Sequence, residues 1–268
     1  MTKQLLENID SIPPLPESVQ EVERIYQDSG STFEDMQKAI EKDPILTASI
    51  LRIVNSPMYG IKNTVKSVGQ AISLLGKDAV RTFVLSSTVD VNFKIDLSPY
   101  NMTKEEFRIA CDTQLALMVN WIARRKPKQM AVLGPASFLV DLGRIVIAKT
   151  LIDDDKTDII QKALLAGEDI AQAEKTACGA QTTDVTATLF HEWNLDPDII
   201  HIIRYSDDPD GTYEEEKEMA AELKVIRETV MPNGEINEES IALAKDIIEE
   251  FELDLESYEK ALDKVLSA

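Results

Sequence analysis

Apolar residues recur along most of this chain at intervals of three and four, the repeat of a helix with one face turned toward a core. Leu5–Ile12 reads as a short helix or arm, and Ile12-Pro13-Pro14-Leu15-Pro16 as extended, because prolines fix φ and remove donors. Glu17–Asp28 carries Val19, Val22, Ile25 and Tyr26 on one face, and Gly30 ends it. Ser31 or Thr32 caps a third helix with Phe33, Met36, Ala39 and Ile40 inward. The best-defined stretch is Asp43–Gly76. Asp43 caps its first helix, Pro44 takes the first helical position, and Leu46, Ile50, Ile53 and Val54 share a face. Asn55-Ser56-Pro57 stops that helix, because proline disfavours the helical conformation of the residue before it. Tyr59-Gly60 continues the joint. Ser67 caps the next helix, with Val68, Ala71, Ile72, Leu74 and Leu75 as its stripe, and Gly76 ends it in a left-handed cap.

Asp78–Val91 is a mostly apolar helix, and the periodicity then lapses over Asn92–Met102, where a boundary belongs. Thr103 and Glu106 have capping-box spacing and open a helix through Leu115, Leu117, Met118 and Trp121. Further helices are expected at Pro135–Leu151, Asp155–Ala166, Glu168–Ala177, Asp184–Trp193 and Asp196–Tyr205. Three charged amphipathic helices follow, at Glu214–Val230, Glu238–Phe251 and Leu255–Leu266. Every periodic element is helical, so the fold class is all-α.

Charge refines this picture. The net charge of −20 opposes a general nucleic-acid binder, since affinity for a polyanion comes mainly from neutralised phosphates. The charge is also polarised. Ser206–Ala268 holds twenty acidic and six basic residues, whereas Pro44–Leu85 holds five basic (Arg52, Lys62, Lys66, Lys77, Arg81) and one acidic. Met130–Ala148 is the most apolar run, but Gly134, Pro135, Asp141 and Arg144 interrupt it, and neither a leader nor a membrane span is expected. Cys111 and Cys178 lie far apart, which suits a reduced, cytoplasmic setting.

The run DPILTASILRIVNSPMYG, a basic spacer, then SVGQAISLLG, preceded by IPPLPESV, resembles the signature of the HDOD family, the HD-related output domain of bacterial signalling proteins. The resemblance spans about Ile12 to Pro209 and includes the special residues Asp43, Pro44, Arg52, Asn55, Ser56 and Gly76. It implies a two-lobed helical fold with a regulatory, non-catalytic role. The lobes would be an N-terminal helical lobe at 1–95 and an HD-like lobe at 96–210, followed by an acidic helical extension at 211–268.

The resemblance also says where a metal site would stand in an HD-type phosphohydrolase, and there the residues depart from the pattern. The helix that would end in His-Asp-Ile-Gly reads Val140-Asp141-Leu142-Gly143, and valine cannot bind metal. Thr182 stands where relatives often carry a histidine, and Ser206 and Asp207 replace two more. Ahead of His191 the chain has no histidine, and His191 and His201 read as ordinary helix residues. His191-Glu192 lacks the second histidine of a zinc motif, and no glycine-rich phosphate loop is present. No metal, cofactor or catalytic residue is therefore expected.

The leading expectation is a non-enzymatic signal-transduction module that binds a regulatory protein partner, with Asp43, Arg52, Asn55, Ser56 and Gly76 as its signature. The alternative is a metal-dependent phosphohydrolase or nucleotide-binding protein in which Asp141, Asp184, Asp207 and Asp208 hold Mg²⁺ or Mn²⁺. A third reading, direct DNA contact, would rest on Lys77 and Arg81. Arg52, Asn55 and Ser56 themselves admit two roles: fixing the helix-to-joint geometry, or forming a docking surface.

Overall fold

The computed structural model describes residues 1–57, 61, 64–88 and 95–267. Among these the chain is helical throughout, with a single antiparallel bridge between Leu97 and Met102. The joint at Tyr59-Gly60, the basic residue Lys62 and the end of the helix expected to reach Val91 lie outside the described residues.

The helices are α1 Lys3–Asp10, α2 Glu17–Gln27, α3 Phe33–Glu41, α4 Pro44–Val54 and α5 Val68–Ser86. Then come α6 Lys104–Ile122, α7 Met130–Leu139, α8 Gly143–Asp153, α9 Thr157–Ala166 and α10 Ile170–Cys178. The rest are α11 Thr182–Glu192, α12 Pro197–Tyr205, α13 Glu214–Thr229, α14 Glu238–Glu250 and α15 Leu255–Leu266. The starts follow from local chemistry. Asp43 Oδ1 accepts from the N–H groups of Ile45 and Leu46 at 2.9 and 3.0 Å, and its other oxygen accepts from Ser18 Oγ at 2.7 Å. One carboxylate thus caps α4 and ties it to α2. Those donors outweigh the small burial and hold the Asp43 carboxyl below the usual carboxylate range. Thr103 and Glu106 form the expected reciprocal box at the start of α6.

Helices α2 to α5 pack together, and α5 also lies against α7. The second group is built on α7 and α8, which are surrounded by α6, α11 and α12, with α15 on α6 and α13 on α12. The N-terminal α1 docks on α8, where Asn8 Nδ2 donates to Thr150 Oγ1 and Asp153 Oδ2. One buried apolar cluster runs from Leu5 to Leu262 and joins the groups without interruption.

Three sequence expectations are corrected. Phe33 and Leu74, assigned to buried faces, are 59% and 56% exposed, since each lies at the edge of its stripe. Gly76 has the positive φ that glycine accommodates, +85°, but its ψ of 170° is not that of a left-handed cap; it breaks α5 internally. The expected helix Pro135–Leu151 starts earlier, at Met130, and divides at Val140-Asp141-Leu142.

Arg81 joins the two groups. It is 0% exposed, and its Nε and Nη2 donate to the Glu23 carboxylate at 2.8 Å, which ties α5 to α2. Its Nη1 donates to the Ala131 carbonyl of α7 at 3.2 Å and lies 3.6 Å from Asp196, the cap of α12. The guanidinium also stacks over the Tyr26 ring at 4.1 Å. Arg81 is therefore unavailable to DNA, and Lys77, whose Nζ donates to the Ser31 carbonyl, is partly engaged as well. The basic face read from the sequence is smaller than its residue count.

Candidate site at the Val140-Asp141 turn

The division between α7 and α8 has a specific cause. The Gly143 N–H leaves the helical ladder and donates to Thr186 Oγ1 of α11 at 2.8 Å. The same hydroxyl donates to the Val140 carbonyl at 2.7 Å, taking up an acceptor released by the break. Around it the backbone tightens to i→i+3 bonds, from Arg144 N–H to Asp141 O and from Ile145 N–H to Leu142 O. The α8–α11 approach is so close that a Cβ on Gly143 would lie 2.2 Å from the Thr182 carbonyl. The turn faces Asp141 toward α6 and α13.

Asp141 is 4% exposed, and both of its oxygens are engaged. Oδ2 accepts from Gln114 Nε2 at 2.9 Å, and Oδ1 lies 3.3 Å from Arg144 Nη2 and 3.5 Å from Arg227 Nη2. Arg227 comes from α13 in the acidic tail, and its Nη1 also donates to Asp207 Oδ1. Asp207 Oδ2 accepts from Thr183 Oγ1 at 2.6 Å. Burial alone would raise the Asp141 carboxyl, yet the Arg144 and Arg227 guanidiniums hold it below its ordinary value. Magnitudes agree with that sign: two cations at about 4 Å each give about 4 kcal/mol of gross attraction at an effective dielectric near 20, enough to offset a desolvation penalty of several kcal/mol.

A second buried carboxylate lies beside the first. Glu174 Oε1 accepts from Tyr100 Oη and Thr182 Oγ1, both at 2.7 Å, and Oε2 accepts from the Thr182 N–H at 2.6 Å. Here burial wins and pushes the carboxyl above its ordinary value. Asp141, Arg144, Glu174, Thr182, Asp207 and Arg227 line one cavity of about 680 Å³.

The residues at the positions marked as degenerate are thus partly gathered. Asp141, Thr182 and Asp207 border the cavity. Val140 is buried in the core, and Ser206 is turned inward with its hydroxyl donating to the Ile203 carbonyl at 2.9 Å. These side chains do not fit an HD-type metal. Val140 offers no donor, Thr182 and Ser206 are engaged elsewhere, and the two aspartates share a guanidinium that puts positive charge between them. The other carboxylates of the alternative set are dispersed: Asp184 belongs to the capping box of α11, and Asp208 lies at the cavity wall. Among the described residues no group of three or more histidine, cysteine or acidic side chains is placed to hold a metal.

The signature residues lie elsewhere, at the end of α4. Asn55 Nδ2 donates to the carbonyls of Leu51 and Val65 at 2.7 and 2.9 Å, and Oδ1 accepts from the Val65 N–H at 2.8 Å. It pins the far side of the joint to the helix end. The Ser56 N–H donates to the Ile53 carbonyl, and Arg52 is exposed one turn before Asn55. Of the two histidines, His191 is exposed, while His201 lies 2.7 Å from Glu216, stacks on Tyr213 and meets the Tyr205 ring at a tilt.

Sequence reading missed Arg144, Glu174 and Arg227 as partners of this site. Arg144 had a signal, being a cation three residues after a lone acid in an apolar run. Arg227 had none, as one cation among many charges on a tail helix.

Comparison with known proteins agrees with this architecture. No curated protein matches the chain. Among solved structures, a protein from Shewanella amazonensis SB2B, provisionally assigned as a phosphohydrolase, has a TM-score of 0.72 at 21% identity over 98% of this chain and 94% of its own. An HDOD domain protein of unknown function from Geobacter sulfurreducens has a TM-score of 0.66 at 18% identity, over 98% and 97%. A provisionally assigned signal transduction protein from Marinobacter aquaeolei VT8 has a TM-score of 0.67 at 18% identity, over 98% of this chain and 64% of its own. At such identities the likeness shows the fold alone, and it extends beyond residue 209 into the C-terminal helices. The family model for the HDOD domain matches residues 12–209, and the chain belongs to that family.

Proposed function

We propose that this chain is a regulatory module of signal transduction that acts by binding a protein partner and catalyses no reaction. The observation that carries the reading is the guanidinium of Arg227 between Asp141 and Asp207, where an HD-type hydrolase would hold its metal. A hydrolase of that type needs a cation with an open position to generate hydroxide. An arginine side chain supplies charge but cannot activate water. In this reading residues 1–95 and 96–210 are the two lobes and residues 211–268 the extension that delivers Arg227. The signature residues Asp43, Arg52, Asn55, Ser56 and Gly76 shape the partner-binding lobe, and the setting is the cytoplasm. Cys111 and Cys178, both buried free thiols, support that setting. Pro127–Asp153, apolar enough by composition to cross a membrane, has 83% of its most apolar window buried within the fold.

Two measurements test the proposal together. Tagged full-length protein recovered from native cells should retain a specific protein partner at reproducible stoichiometry. Purified protein should carry no stoichiometric divalent metal and turn over no phosphodiester or nucleotide. Stoichiometric metal with turnover that disappears in Asp141→Ala would replace the proposal with the phosphohydrolase alternative.

A further inference from the structure

Helix α4 has the composition of a buried helix and the position of a surface one. It packs against α3 and α5 through Leu46, Ile50, Ile53 and Val54. A helix covered on one side only normally turns a charged face to water. Helix α15 does so, with Glu256, Glu259, Lys260 and Asp263 outward. On α4 the outer row is Ile45, Ala48, Ser49 and Arg52, at the spacing of a single helical face. Ile45 is 70% exposed, Ala48 and Arg52 are exposed, and Ser49 is half-buried. Arg52 is the one charged side chain of the helix. The sign of the surroundings is also set. The chain has 48 acidic residues, yet none stands between Pro44 and Gly76, where Arg52, Lys62 and Lys66 lie. Lys66 is exposed and follows Val65, which Asn55 fastens to the end of α4. On the adjoining α3, Glu34 pairs with Lys38, Asp35 serves the cap, and Glu41 accepts from Gln37.

We infer that the outer face of α4 is the docking surface for a partner protein's amphipathic helix, one with an apolar stripe bordered by acidic residues. This rests on the partner-binding reading and adds the surface used and the segment it takes. The row from Ile45 to Arg52 is about 10 Å long, two helical turns, and matches the ridge of another helix. Ala48 at its centre lets the two axes come close. Ile45 supplies the apolar anchor, and Arg52 and Lys66 at the far end set the sign of the flank. The net charge of the whole chain does not forbid this, because charges beyond about 8 Å are largely screened at physiological ionic strength. It does oppose a second copy as the occupant, which would bring another −20 with its acidic helices.

The test places a photo-crosslinking amino acid at Ala48 of the full chain in native cells, with exposed Thr176 of α10 as the control position. The crosslinked peptides are sequenced. One partner segment should recur from position 48 and not from 176, with apolar residues at helical spacing and Asp or Glu beside them. A synthetic peptide of that segment is then titrated into the purified protein. Ile45→Gln should weaken binding by about tenfold or more, through loss of an aliphatic anchor. Lys66→Glu should weaken it and flatten its salt dependence. Both side chains are exposed, so both variants should melt with wild type. A partner that is retained but crosslinks only from other faces would overturn the inference and leave the partner-binding reading standing. So would a segment rich in Lys and Arg, or unchanged peptide binding in both variants. A crosslink to a second copy would replace it with self-association. Sedimentation with phosphatidylglycerol vesicles that Ile45→Gln abolishes would give the face to a membrane surface instead. If wild-type chain retains no partner at all, the partner-binding reading falls and this inference falls with it.

Discussion

Asn55→Ala tests whether the signature motif is a structural fastening. The side chain supplies three hydrogen bonds, two as donor and one as acceptor. Their loss is unequal. The Leu51 carbonyl sits in the last turn of α4 on a half-exposed residue and can turn to water. The N–H and carbonyl of Val65 belong to a residue 2% exposed, and both lose a partner. At about 1 kcal/mol for each stranded group, the low end because Asn55 itself is exposed, the expected loss is about 2 kcal/mol. For a chain of this size that lowers Tm by about 4–8 °C. Asn55→Asp keeps the acceptor for the Val65 N–H but turns a charge toward two carbonyls, so it should be no more stable than Asn55→Ala. Thermal melting and urea unfolding at an unchanged m value would measure both. If both variants melt within about 1 °C of wild type, the reasoning is refuted. If partner capture is then lost at full stability, Asn55 belongs to a docking surface instead.

Other outcomes follow from the buried site. Asp141→Ala removes the shared anion of Arg144 and Arg227 and should cost about 3–5 kcal/mol in denaturant unfolding, the usual effect of leaving a buried charge uncompensated. Gly143→Ala puts a methyl group 2.2 Å from the Thr182 carbonyl, so α8 and α11 must separate; a loss of about 3 kcal/mol or more, or failure to fold, should be seen by circular dichroism. Glu174 gives a pH signature. Its folded value lies above the ordinary one, so the folded state holds a proton that the unfolded chain releases. Stability from this group falls as pH rises from about 4.3 through the folded value, and Glu174→Gln should remove that slope from a series of unfolding curves. Asp141, with a lowered value, acts oppositely: its stabilisation is present above about 3.9 and is lost as pH falls through the folded value.

The legible parts of this fold were those decided locally. Caps such as Asp43, Thr103 and Ser67 need only their own helix, and the structure has all three in place. The three tail helices likewise lie within a residue or two of their expected ends, because amphipathic period and turn residues agree there. What could not be read was decided between distant segments. The break in α7–α8 is made by Thr186, more than forty residues away, competing for the Gly143 N–H. The bridge between Asp141 and Asp207 comes from Arg227 across 86 residues of sequence. Exposure at stripe edges, as for Phe33, depends on how many neighbours a helix has, and periodicity does not carry that number.

Arg81 has a consequence for any attempt to take this protein apart. Its charge is compensated by acceptors from both groups of helices: Glu23 on one side, Ala131 and Asp196 on the other. A fragment ending between the two groups of helices would keep the cation and one acceptor, and open the rest of the guanidinium to water or leave it without partners. The two halves therefore have a common fate in unfolding. Amides of α2, α5 and α7 should exchange hydrogen in one cooperative unit rather than group by group.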